Sequence, residues 1–589
     1  MLVLDIECFS NYFLLEALNP KTQETFVFES YPGHPLDTKG VLKLMESNLT
    51  VGFNSFNYDL PMLSVAVTGA DNQTLKDLSD KIITSRSIWE VMREEGIGVP
   101  SEWRHIDLIE LAIGQASLKI YGGRLFAKKM QDLPISPDEL IRPEDRPLIR
   151  KYCLNDLETT HLLYQKLKPQ LDLRKAMGEM YGLNLMSKSD AKIAETLIRH
   201  ELEALTKQRY SAPQLPDTYK FKYRNPRIIQ FQSKELEAVY HRVRQELFGL
   251  EKGGSVAMPD WLAEQKIHIG KAVYQMGIGG LHSCEKSQYF EADEEWCIGD
   301  WDVASMYPSI ILQQRLAPGL LGEPFLKLYE GFVKKRIEAK RSGNKTLADT
   351  YKIILNSSYG KFGSKYSFLY SPDLLAQTTL TGQFSLLMLI ERLETEGFRV
   401  ISANTDGLVV YFPRAREREV EYVMWDWMLD TSYELERTDY VRIAFANINN
   451  YVAVKLDGGV KGKGIFAEPS MSKNPDGAII YQAVANHIAS GASIEETIMG
   501  CTDVALFCTV RRVTGGAVWR GEPIGKAIRF LHSTEGDVIT YAKNGNKVPN
   551  SDGCRPLMEL PSTFPKDVDY GYYLNKAYKL LKEVGYERA

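Results

Sequence analysis

The sequence has few cysteines and no long apolar run. Its seven cysteines are scattered over 589 residues without a Cys-x-x-Cys pair, which argues against a disulfide framework or a zinc site and favours a reducing cytosol. No apolar stretch approaches the roughly 20 residues of a membrane-spanning helix. The sequence begins with a strand-like run and has no signal-peptide pattern. We therefore expect a cytoplasmic protein without a membrane partner.

A surplus of positive charge is also missing. Lys and Arg number 71 against 76 Asp and Glu, a net charge of −5, whereas nucleic-acid-binding proteins often have a basic surplus. Local charge decides such binding, and a carboxylate-rich metal site lowers the total, so the balance excludes no nucleic-acid function. The 44% hydrophobic content is that of ordinary globular proteins, and the length allows several domains.

Periodicity and turn residues predict a mixture of α/β and α+β domains. The first 170 or so residues alternate strand-like and helix-like stretches. Within them, Glu144 to Lys168 is predicted as one helix, bounded by Pro143 and Pro169.

The middle of the chain contains clearer signals. Residues 221–231 are basic and polar, and Ser233 to Leu250 is helix-like. Phe325 to Lys361 predicts two helices joined by a turn. Arg399 to Phe412 predicts a strand, a tight turn and a second strand. The last 120 residues are mixed and end in a predicted helix, Tyr572 to Val584.

Three N-terminal segments carry acidic side chains. Asp5 and Glu7 end the opening strand, and side chains two apart share a strand face, so both carboxylates can reach one cation. Asn54 to Asp59 supplies a third carboxylate. Tyr152 and Asp156 are four residues apart on a predicted helix and share a helical face. Each pattern alone is more often a solvated surface than a site.

Three longer motifs follow. The first is Asp302-Val303-Ala304-Ser305-Met306-Tyr307-Pro308-Ser309, the second is Lys352 to Gly360 (KIILNSSYG), and the third is Asn404-Thr405-Asp406-Gly407. Asp302 lies where a predicted strand ends in a turn and Asp406 lies on a predicted hairpin turn, so two carboxylates from one sheet can hold a metal pair. Asp300 shares the strand face of Asp302 and competes with it. Thr-Asp-Gly is also ordinary turn chemistry.

In this order, the three longer motifs resemble motifs A, B and C of the family B DNA polymerases. The N-terminal segments resemble the proofreading exonuclease domain of DNA polymerases. The resemblance covers scattered blocks of residues 1–470 and implies a DNA-directed DNA polymerase with 3′→5′ exonuclease activity. It further implies an RNase H-like exonuclease domain followed by a right-hand polymerase. The implied domains are exonuclease 1–190, connector and first part of the palm 191–325, fingers 326–362, palm 363–468, and thumb or C-terminal region 469–589.

The resemblance implies two Mg²⁺ or Mn²⁺ ions at each of two active sites. The implied exonuclease ligands are Asp5, Glu7, Asp59 and Asp156, with Tyr152 orienting water and Asn54 and Tyr58 touching the frayed 3′ end. The implied polymerase ligands are Asp302, Asp406 and the carbonyl of Val303.

The resemblance also implies substrate contacts. The nucleotide is expected to meet Arg336, Lys340, Lys352, Asn356, Tyr307 and Tyr359, with Lys335 as the alternative on the first helix. DNA is expected to meet Tyr274, Gly279, Gly280, Thr405, Tyr451, Lys461 and Lys463. A solvated charged helix face is the competing interpretation for the helix cations, and a surface hairpin for Lys461 and Lys463.

The sequence departs from the family at three positions. Asn404 stands where motif C usually begins with Asp, Gly407 stands where it ends with Ser, and Asn449 stands where a Lys-x-Tyr element has its lysine. The second Asp of motif C is the metal ligand in the family, so Asp406 preserves the chemistry. Asn404 leaves metal affinity and primer-end positioning open, and Asn449 weakens the expected primer grip.

The spacing between motifs is short. Only 49 residues separate Asp302 from Lys352, and 45 separate Gly360 from Asp406, which leaves little room for the insertions of protein-primed relatives. We expect an ordinary nucleic-acid primer, primer–template DNA and deoxynucleotides as partners, single-stranded DNA in the exonuclease site, and a monomer. The small size favours a phage or mobile-element source, and hence the host cytoplasm.

Two other functions compete with a proofreading polymerase. One is a nuclease whose polymerase half is weak or only grips DNA, and the other is a non-catalytic scaffold. Both predict missing carboxylates at one of the two sites. All six implied carboxylates are present, which favours the active polymerase.

Overall fold

The computed structural model describes residues 1–284 and 286–586. The chain forms two compact units. The N-terminal unit comprises Met1–Lys188, Pro469–Ile479 and Met499–Tyr573, and the central unit comprises Ser189–Glu468, Ile480–Ile498 and the chain from Leu574. The predicted multidomain α/β organisation is therefore confirmed. Among the described residues, none of the helices combines the length and apolarity that crossing a membrane requires.

The N-terminal unit begins with a five-stranded sheet in the order β3-β2-β1-β4-β5. Its strands are β1 (Leu2–Phe9), β2 (Tyr12–Asn19), β3 (Glu24–Ser30), β4 (Thr50–Gly52) and β5 (His105–Asp107). Strand β1 is central and carries apolar side chains on both faces, as a strand covered on both sides requires. Only Asp5 and Glu7 interrupt its burial, and both are half-buried.

Six helices cover this sheet. They are α1 (Thr38–Ser47), α2 (Asp59–Ala66), α3 (Asn72–Thr84), α4 (Ile88–Glu95), α5 (Leu118–Arg124) and α6 (Arg146–Tyr181). The predicted end of α6 at Lys168 is wrong, because the helix continues through Pro169 to a left-handed cap at Gly182. An interior proline costs a helix about 3 kcal/mol. Leu167, Leu171 and Met177 stay buried at helical spacing, and this packing offsets the lost hydrogen bond.

The middle of the chain supplies the ten-stranded sheet of the central unit, in the order β15-β14-β13-β10-β12-β11-β8-β7-β6, with β9 pairing β13. Its strands are β6 (Ile267–Ile269), β7 (Ala272–Gln275), β8 (His282–Ser283), β9 (Gln288–Glu291), β10 (Trp296–Val303), β11 (Arg399–Asn404), β12 (Gly407–Pro413), β13 (Leu435–Asn447), β14 (Asn450–Lys455) and β15 (Val460–Lys463). The predicted hairpin is confirmed as β11 and β12.

The helices of this region are α7 (Asp190–Thr206), α8 (Lys234–Gln245), α9 (Asp260–Glu264), α10 (Met306–Gln313), α11 (Gly322–Arg341), α12 (Lys345–Lys361), α13 (Pro372–Thr395) and α14 (Glu417–Thr431). The predicted helix pair is confirmed as α11 and α12. Helix α8 ends earlier than predicted, because Phe248 forms a backbone bridge with Phe221. Helix α13 is almost entirely buried and holds several loops through polar side chains.

The remaining chain contains α15 (Ala478–Ser490), α16 (Ile494–Met499), β16 (Thr509–Trp519), β17 (Glu522–Asp537), β18 (Ile539–Tyr541), β19 (Cys554–Pro556) and α17 (Tyr570–Glu583). Helix α17 confirms the predicted C-terminal helix. The four strands form a sheet of the N-terminal unit in the order β18-β16-β17-β19. Within that unit, the fully buried Arg529 donates hydrogen bonds to the carbonyls of Ala127 and Leu557, each at 2.8 Å.

Candidate active sites

The first candidate site lies on strand β1 of the N-terminal unit. Asp5 and Glu7 project from the same face, and their carboxylate oxygens and the sulfur of Cys153 lie within 4.8 Å of one another. Burial raises the pKa of Asp5 well above its ordinary value, and the charges of Asp59, Glu7 and Asp156 raise it further. The four predicted carboxylates thus gather at one place.

Asp59 reaches this cluster from the first turn of α2. It is 4% exposed, and burial followed by the charge of Asp107 raises its pKa to about 7. Carboxylates this close together repel one another when they are ionised, so protons or bound cations must neutralise part of their charge. The cluster therefore has the charge and ligand chemistry of a divalent-cation site.

Helix α6 brings Tyr152 and Asp156 to the cluster. Burial raises the pKa of Asp156, while the charge of Lys119 and the hydroxyl of Tyr152 oppose that rise. The Nζ atom of Lys119 lies 4.8 Å from the centre of the Tyr152 ring. Sequence reasoning missed Lys119, because a lone lysine on α5 belongs to none of the motifs. Its closeness to Tyr152 arises only from the packing of α5 against α6.

The loop between β4 and α2 holds Asn54 and Tyr58. Asn54 has a left-handed backbone with φ of 62°. The buried carboxylate of Asp107 accepts the backbone N–H groups of Asn54 at 2.8 Å and Phe56 at 3.0 Å, which fixes the loop. The Tyr58 hydroxyl lies 2.7 Å from Ser79 Oγ. Asp107 was also missed by sequence reasoning, since a single acid ending a short strand has no distinctive pattern.

The second candidate site is a cavity of about 430 Å³ in the central unit. Three adjacent strands build its floor, because Asp302 on β10 lies opposite Gly407 on β12 and Glu436 on β13. A Cβ atom on Gly407 would stand 2.1 Å from Asp302 Oδ1, so this glycine makes room for the carboxylate. The N–H of Val303 donates to the Asp406 carbonyl at 2.7 Å and ties the two motifs together.

The structure separates Asp302 from its competitor Asp300. Asp302 is exposed to the cavity, whereas Asp300 is 6% exposed and accepts hydrogen bonds from the Tyr440 hydroxyl at 2.6 Å and Lys461 Nζ at 3.0 Å. The cavity walls and then the charge of Asp300 raise the pKa of Asp302 to about 6, against the opposing charge of Lys461. Burial also raises the pKa of Asp406.

The helix pair contributes cations to the same cavity. Arg336 and Lys340 line it, and Arg336 donates to Ser305 Oγ at 2.8 Å. Among the described residues, the Nε of Arg336 has no hydrogen-bond partner. Lys335 instead lies 5.9 Å from the Tyr351 ring. The geometry favours Arg336 over Lys335, while Lys352 and Asn356 are exposed on α12 and do not line the cavity.

Two tyrosines stack beside the cavity. The rings of Tyr307 and Tyr359 are 4.3 Å apart and 22° from parallel. The Tyr307 hydroxyl donates to the carbonyl of Gly279 at 3.1 Å. Gly280 packs so closely against Thr405 that a Cβ would lie 3.1 Å from the Thr405 backbone. The stacked tyrosines, the glycine loop and the turn that carries Asp406 therefore adjoin one another.

Tyr274 is a correction among the expected DNA contacts. Its side chain is fully buried beneath β7, because alternation along this short strand turns Tyr274 inward while its neighbours Val273 and Gln275 are half-buried. A buried ring cannot contact DNA in this structure. The expected contacts of Gly279, Gly280 and Thr405 are not affected, since the two glycines follow β7 and Thr405 lies in the turn between β11 and β12.

Strands β14 and β15 bring Tyr451, Lys461 and Lys463 to the cavity. Tyr451 pairs with Lys463 in the sheet register, and Lys463 Nζ lies 5.9 Å from the Tyr451 ring. Lys461 does not point away as a surface hairpin residue would. It binds both Asp300 and the Tyr440 hydroxyl, each at 3.0 Å. Sequence reasoning missed Tyr440 and Glu436, which only the pairing of β13 with β10 brings to this floor.

Comparison with known proteins gives matches to DNA polymerases. Residues 322–380 match the family described as DNA polymerase type B, organellar and viral. The chain is 27% identical over 207 residues to DNA polymerase 1 of Pyrococcus abyssi, which covers 28% of this chain and 26% of that protein. It is 28% identical over 155 residues to DNA polymerase 1 of Sulfolobus acidocaldarius, a match that covers 26% of this chain and 17% of that protein. It is 34% identical over 84 residues to DNA polymerase II of Escherichia coli, a match that covers 14% of this chain and 11% of that protein.

These matches span about a quarter or less of the length of the relatives. Among solved structures, the family B DNA polymerase from Pyrobaculum calidifontis aligns with 100% of this chain and 78% of its own, at 16% identity and a TM-score of 0.43.

Proposed function

This chain is a relative of the family B DNA polymerases, as its motifs predict, and from that premise we propose that it is a template-directed DNA polymerase with a 3′→5′ proofreading exonuclease. The observation that carries the polymerase half is the cavity of the central unit. Asp302 enters it from β10 and Asp406 from the turn between β11 and β12, and Arg336 and Lys340 line it from α11. Carboxylates and cations in one cavity suit a metal-bound triphosphate.

The donor set fits divalent cations. Asp302 and Asp406 are hard oxygen ligands, and the pKa of each is raised by its surroundings, so a cation would relieve the crowding of negative charge. Mg²⁺ or Mn²⁺ held by these carboxylates and the Val303 carbonyl would activate the primer hydroxyl and neutralise charge on the triphosphate. Lys461, paired with Asp300, keeps the carboxylate of Asp300 out of that ligand set.

The other side chains bind and orient the substrates in this proposal. Arg336 lines the cavity, so its guanidinium can donate to a phosphate oxygen, and Lys340 adds a second charge. Lys352 and Asn356 are exposed on α12 outside the cavity lining, and we assign them to the part of the nucleotide that projects from the cavity. The stacked Tyr307 and Tyr359 form an aromatic surface beside the sugar and base of the incoming nucleotide.

DNA occupies the two sides of the cavity. We assign the template to Gly279, Gly280 and Thr405, where small side chains allow close approach of a phosphate backbone. We assign the primer end to Tyr451 and Lys463, with Lys461 adding charge beside it. Such contacts to phosphates are independent of sequence and weaken with salt.

We place 3′→5′ hydrolysis at the carboxylate cluster of the N-terminal unit. Asp5, Glu7, Asp59 and Asp156 would hold the cations there, and their mutually raised pKa values support this ligand set. Tyr152 orients the attacking water, and Lys119 balances the charge beside it. Asn54 and Tyr58 hold the single-stranded 3′ end on the loop that Asp107 fixes.

The domain assignment follows from these two sites. We propose an RNase H-like exonuclease at 1–190, a connector and first part of the palm at 191–325, fingers at 326–362, palm at 363–468, and a thumb or C-terminal region at 469–589. The substrates are then primer–template DNA and deoxynucleotides.

Paired variants test the proposal. Asp406→Asn is expected to abolish primer extension and retain digestion of single strands from the 3′ end. Asp5→Asn with Glu7→Gln is expected to do the reverse, because each change removes charge that is needed only in its own chemical step. Glu158→Gln, on an exposed position of α6, is the control. Extension that survives in Asp406→Asn would refute the polymerase assignment. Digestion without extension in the unaltered protein would leave a nuclease with a non-catalytic polymerase module.

A further inference from the structure

A basic segment of the central unit has no part in either site. Residues 219–232 read YKFKYRNPRIIQFQ and contain four cations and no carboxylate. We call Lys220, Lys222, Arg224 and Arg227 the basic ridge. All four are exposed. Among the described residues, only Arg224 of the four has an ion pair, with Asp373 at 3.7 Å.

Aromatic rings alternate with the cations of the basic ridge. Tyr219 and Phe221 are half-buried and Tyr223 is buried. The rings of Tyr219, Phe221 and Phe248 form a row, with centres 6.1 Å apart for Tyr219 and Phe221 and 5.6 Å apart for Phe221 and Phe248. The Tyr223 ring instead packs against Tyr240 and Phe384. Alternating cations and partly exposed rings are the composition that tracks a single strand, because the cations meet phosphates and the rings offer faces for bases.

The backbone of the ridge is held in place at two points. Phe221 and Phe248 exchange backbone hydrogen bonds at 3.0 and 2.9 Å. The backbone N–H of Arg224 donates to Gln377 Oε1 at 2.8 Å, and Gln377 Nε2 donates back to the Arg224 carbonyl at 2.9 Å. A charged run that is only solvated needs no such anchoring. A backbone that is already held in place loses less freedom when its cations bind a phosphate chain.

The anchoring helix connects the ridge to the polymerase site. Gln377 holds the ridge on α13, and Gln383 of the same helix holds the glycine loop, because it bonds both the N–H and the carbonyl of Gly277 at 2.9 and 2.7 Å. The two glutamines are six residues apart, which is about 9 Å along a helix. The ridge therefore lies one to two helical turns from the loop that we assign to the template.

We propose that the basic ridge binds the single-stranded template ahead of the polymerase site. This inference rests on the proposed function, because the glycine loop sets the direction from which the template arrives. The ligand is a phosphate backbone of any sequence, since the ridge offers cations and ring faces and no arrangement that reads base edges. The ridge guides unpaired template and plays no part in the chemical step.

The test removes charge from the ridge and varies the length of the unpaired template. The variant is Lys220→Gln, Lys222→Gln and Arg227→Gln; Arg224 is kept because of its ion pair. Affinity is measured without divalent cations, so that no digestion occurs, on two primer–templates with the same duplex. One has a 5′ template overhang of about 2 nucleotides and the other of about 12. Each phosphate contact to a single strand adds about 0.7 to the slope of log affinity against log salt.

In the ridge variant, the magnitude of the slope of log affinity against log salt is expected to fall by about 2 with the long overhang, as the loss of three phosphate contacts requires. With the short overhang, the slope is expected to stay unchanged. The matched control is Lys21→Gln, Lys39→Gln and Lys43→Gln, which removes the same charge from exposed lysines of the N-terminal unit. Equal losses on both overhangs, or equal losses in both variants, would overturn the proposal. Binding is measured apart from extension, so a protein that fails to extend primers disproves the proposed function and still tests the ridge.

Discussion

The carboxylate cluster of the N-terminal unit makes a prediction about stability. Asp59 has an ordinary pKa of 3.8, and burial with the charge of Asp107 raises it to about 7. The folded protein therefore resists ionisation of Asp59 more than the unfolded chain does. At 1.36 kcal/mol per pKa unit, the ionised side chain costs the fold roughly 4 kcal/mol as an upper limit. Asp59→Asn removes this cost and keeps the shape of the side chain.

The sign of the effect depends on pH. The cost to the unaltered protein is absent below the unfolded pKa, grows as pH rises, and is complete above the folded pKa of about 7. In EDTA, Asp59→Asn is therefore expected to raise the stability strongly at pH 8 and by less than half as much at pH 5. Bound Mg²⁺ neutralises the cluster of the unaltered protein, so saturating Mg²⁺ should remove the advantage of the variant.

Thermal unfolding of the full chain at pH 5 and pH 8, with EDTA or Mg²⁺, measures these differences. Glu158→Gln, at an exposed position of α6, is the control and is expected to leave the melting temperature unchanged in all of these conditions. The same variant of Asp59 is expected to lose digestion of single strands from the 3′ end. A gain in melting temperature that is equal at both pH values would refute the reasoning, because it would come from packing or hydrogen bonding and not from charge.

Two further predictions concern the cavity of the central unit. The pKa of Asp302 is about 6, so at limiting Mg²⁺ the rate of primer extension should fall about tenfold per pH unit below that value as protons compete for the ligand. Lys461→Met should move the inflection of this pH–rate profile to higher pH, because the charge of Lys461 lowers the pKa of Asp302. An inflection near pH 4 in the unaltered protein would contradict the assignment of Asp302 as the ligand. Tyr307→Ala removes the ring that stacks 4.3 Å from Tyr359. The variant should reduce discrimination against ribonucleotides at least tenfold (about 1.4 kcal/mol). The measurement is the ratio of kcat/KM for deoxynucleotides to kcat/KM for ribonucleotides. An unchanged ratio would place the Tyr307 ring away from the sugar.

Much of the local structure follows from the sequence alone. The alternating pattern and the Asn-Thr-Asp-Gly turn predict the hairpin of β11 and β12, and helical spacing predicts α11 and α12. These signals lie within a few residues of one another, so no distant part of the chain is needed to interpret them. The ordered motifs likewise identify the carboxylates that the structure gathers at two places. The helix through Pro169 is the exception, because buried contacts far along α6 outweigh the local effect of proline.

Only the tertiary structure decides which side chains face a site. Asp300 and Asp302 look equivalent on one strand face, and the neighbours Tyr440 and Lys461 bury the first while the second opens to the cavity. Tyr274 belongs to a motif and yet lies in the core. Lys119 belongs to no motif and yet lies over Tyr152. The physical reason is that burial and pKa depend on strand register and helix packing between segments far apart in the chain, which periodicity within one segment does not contain.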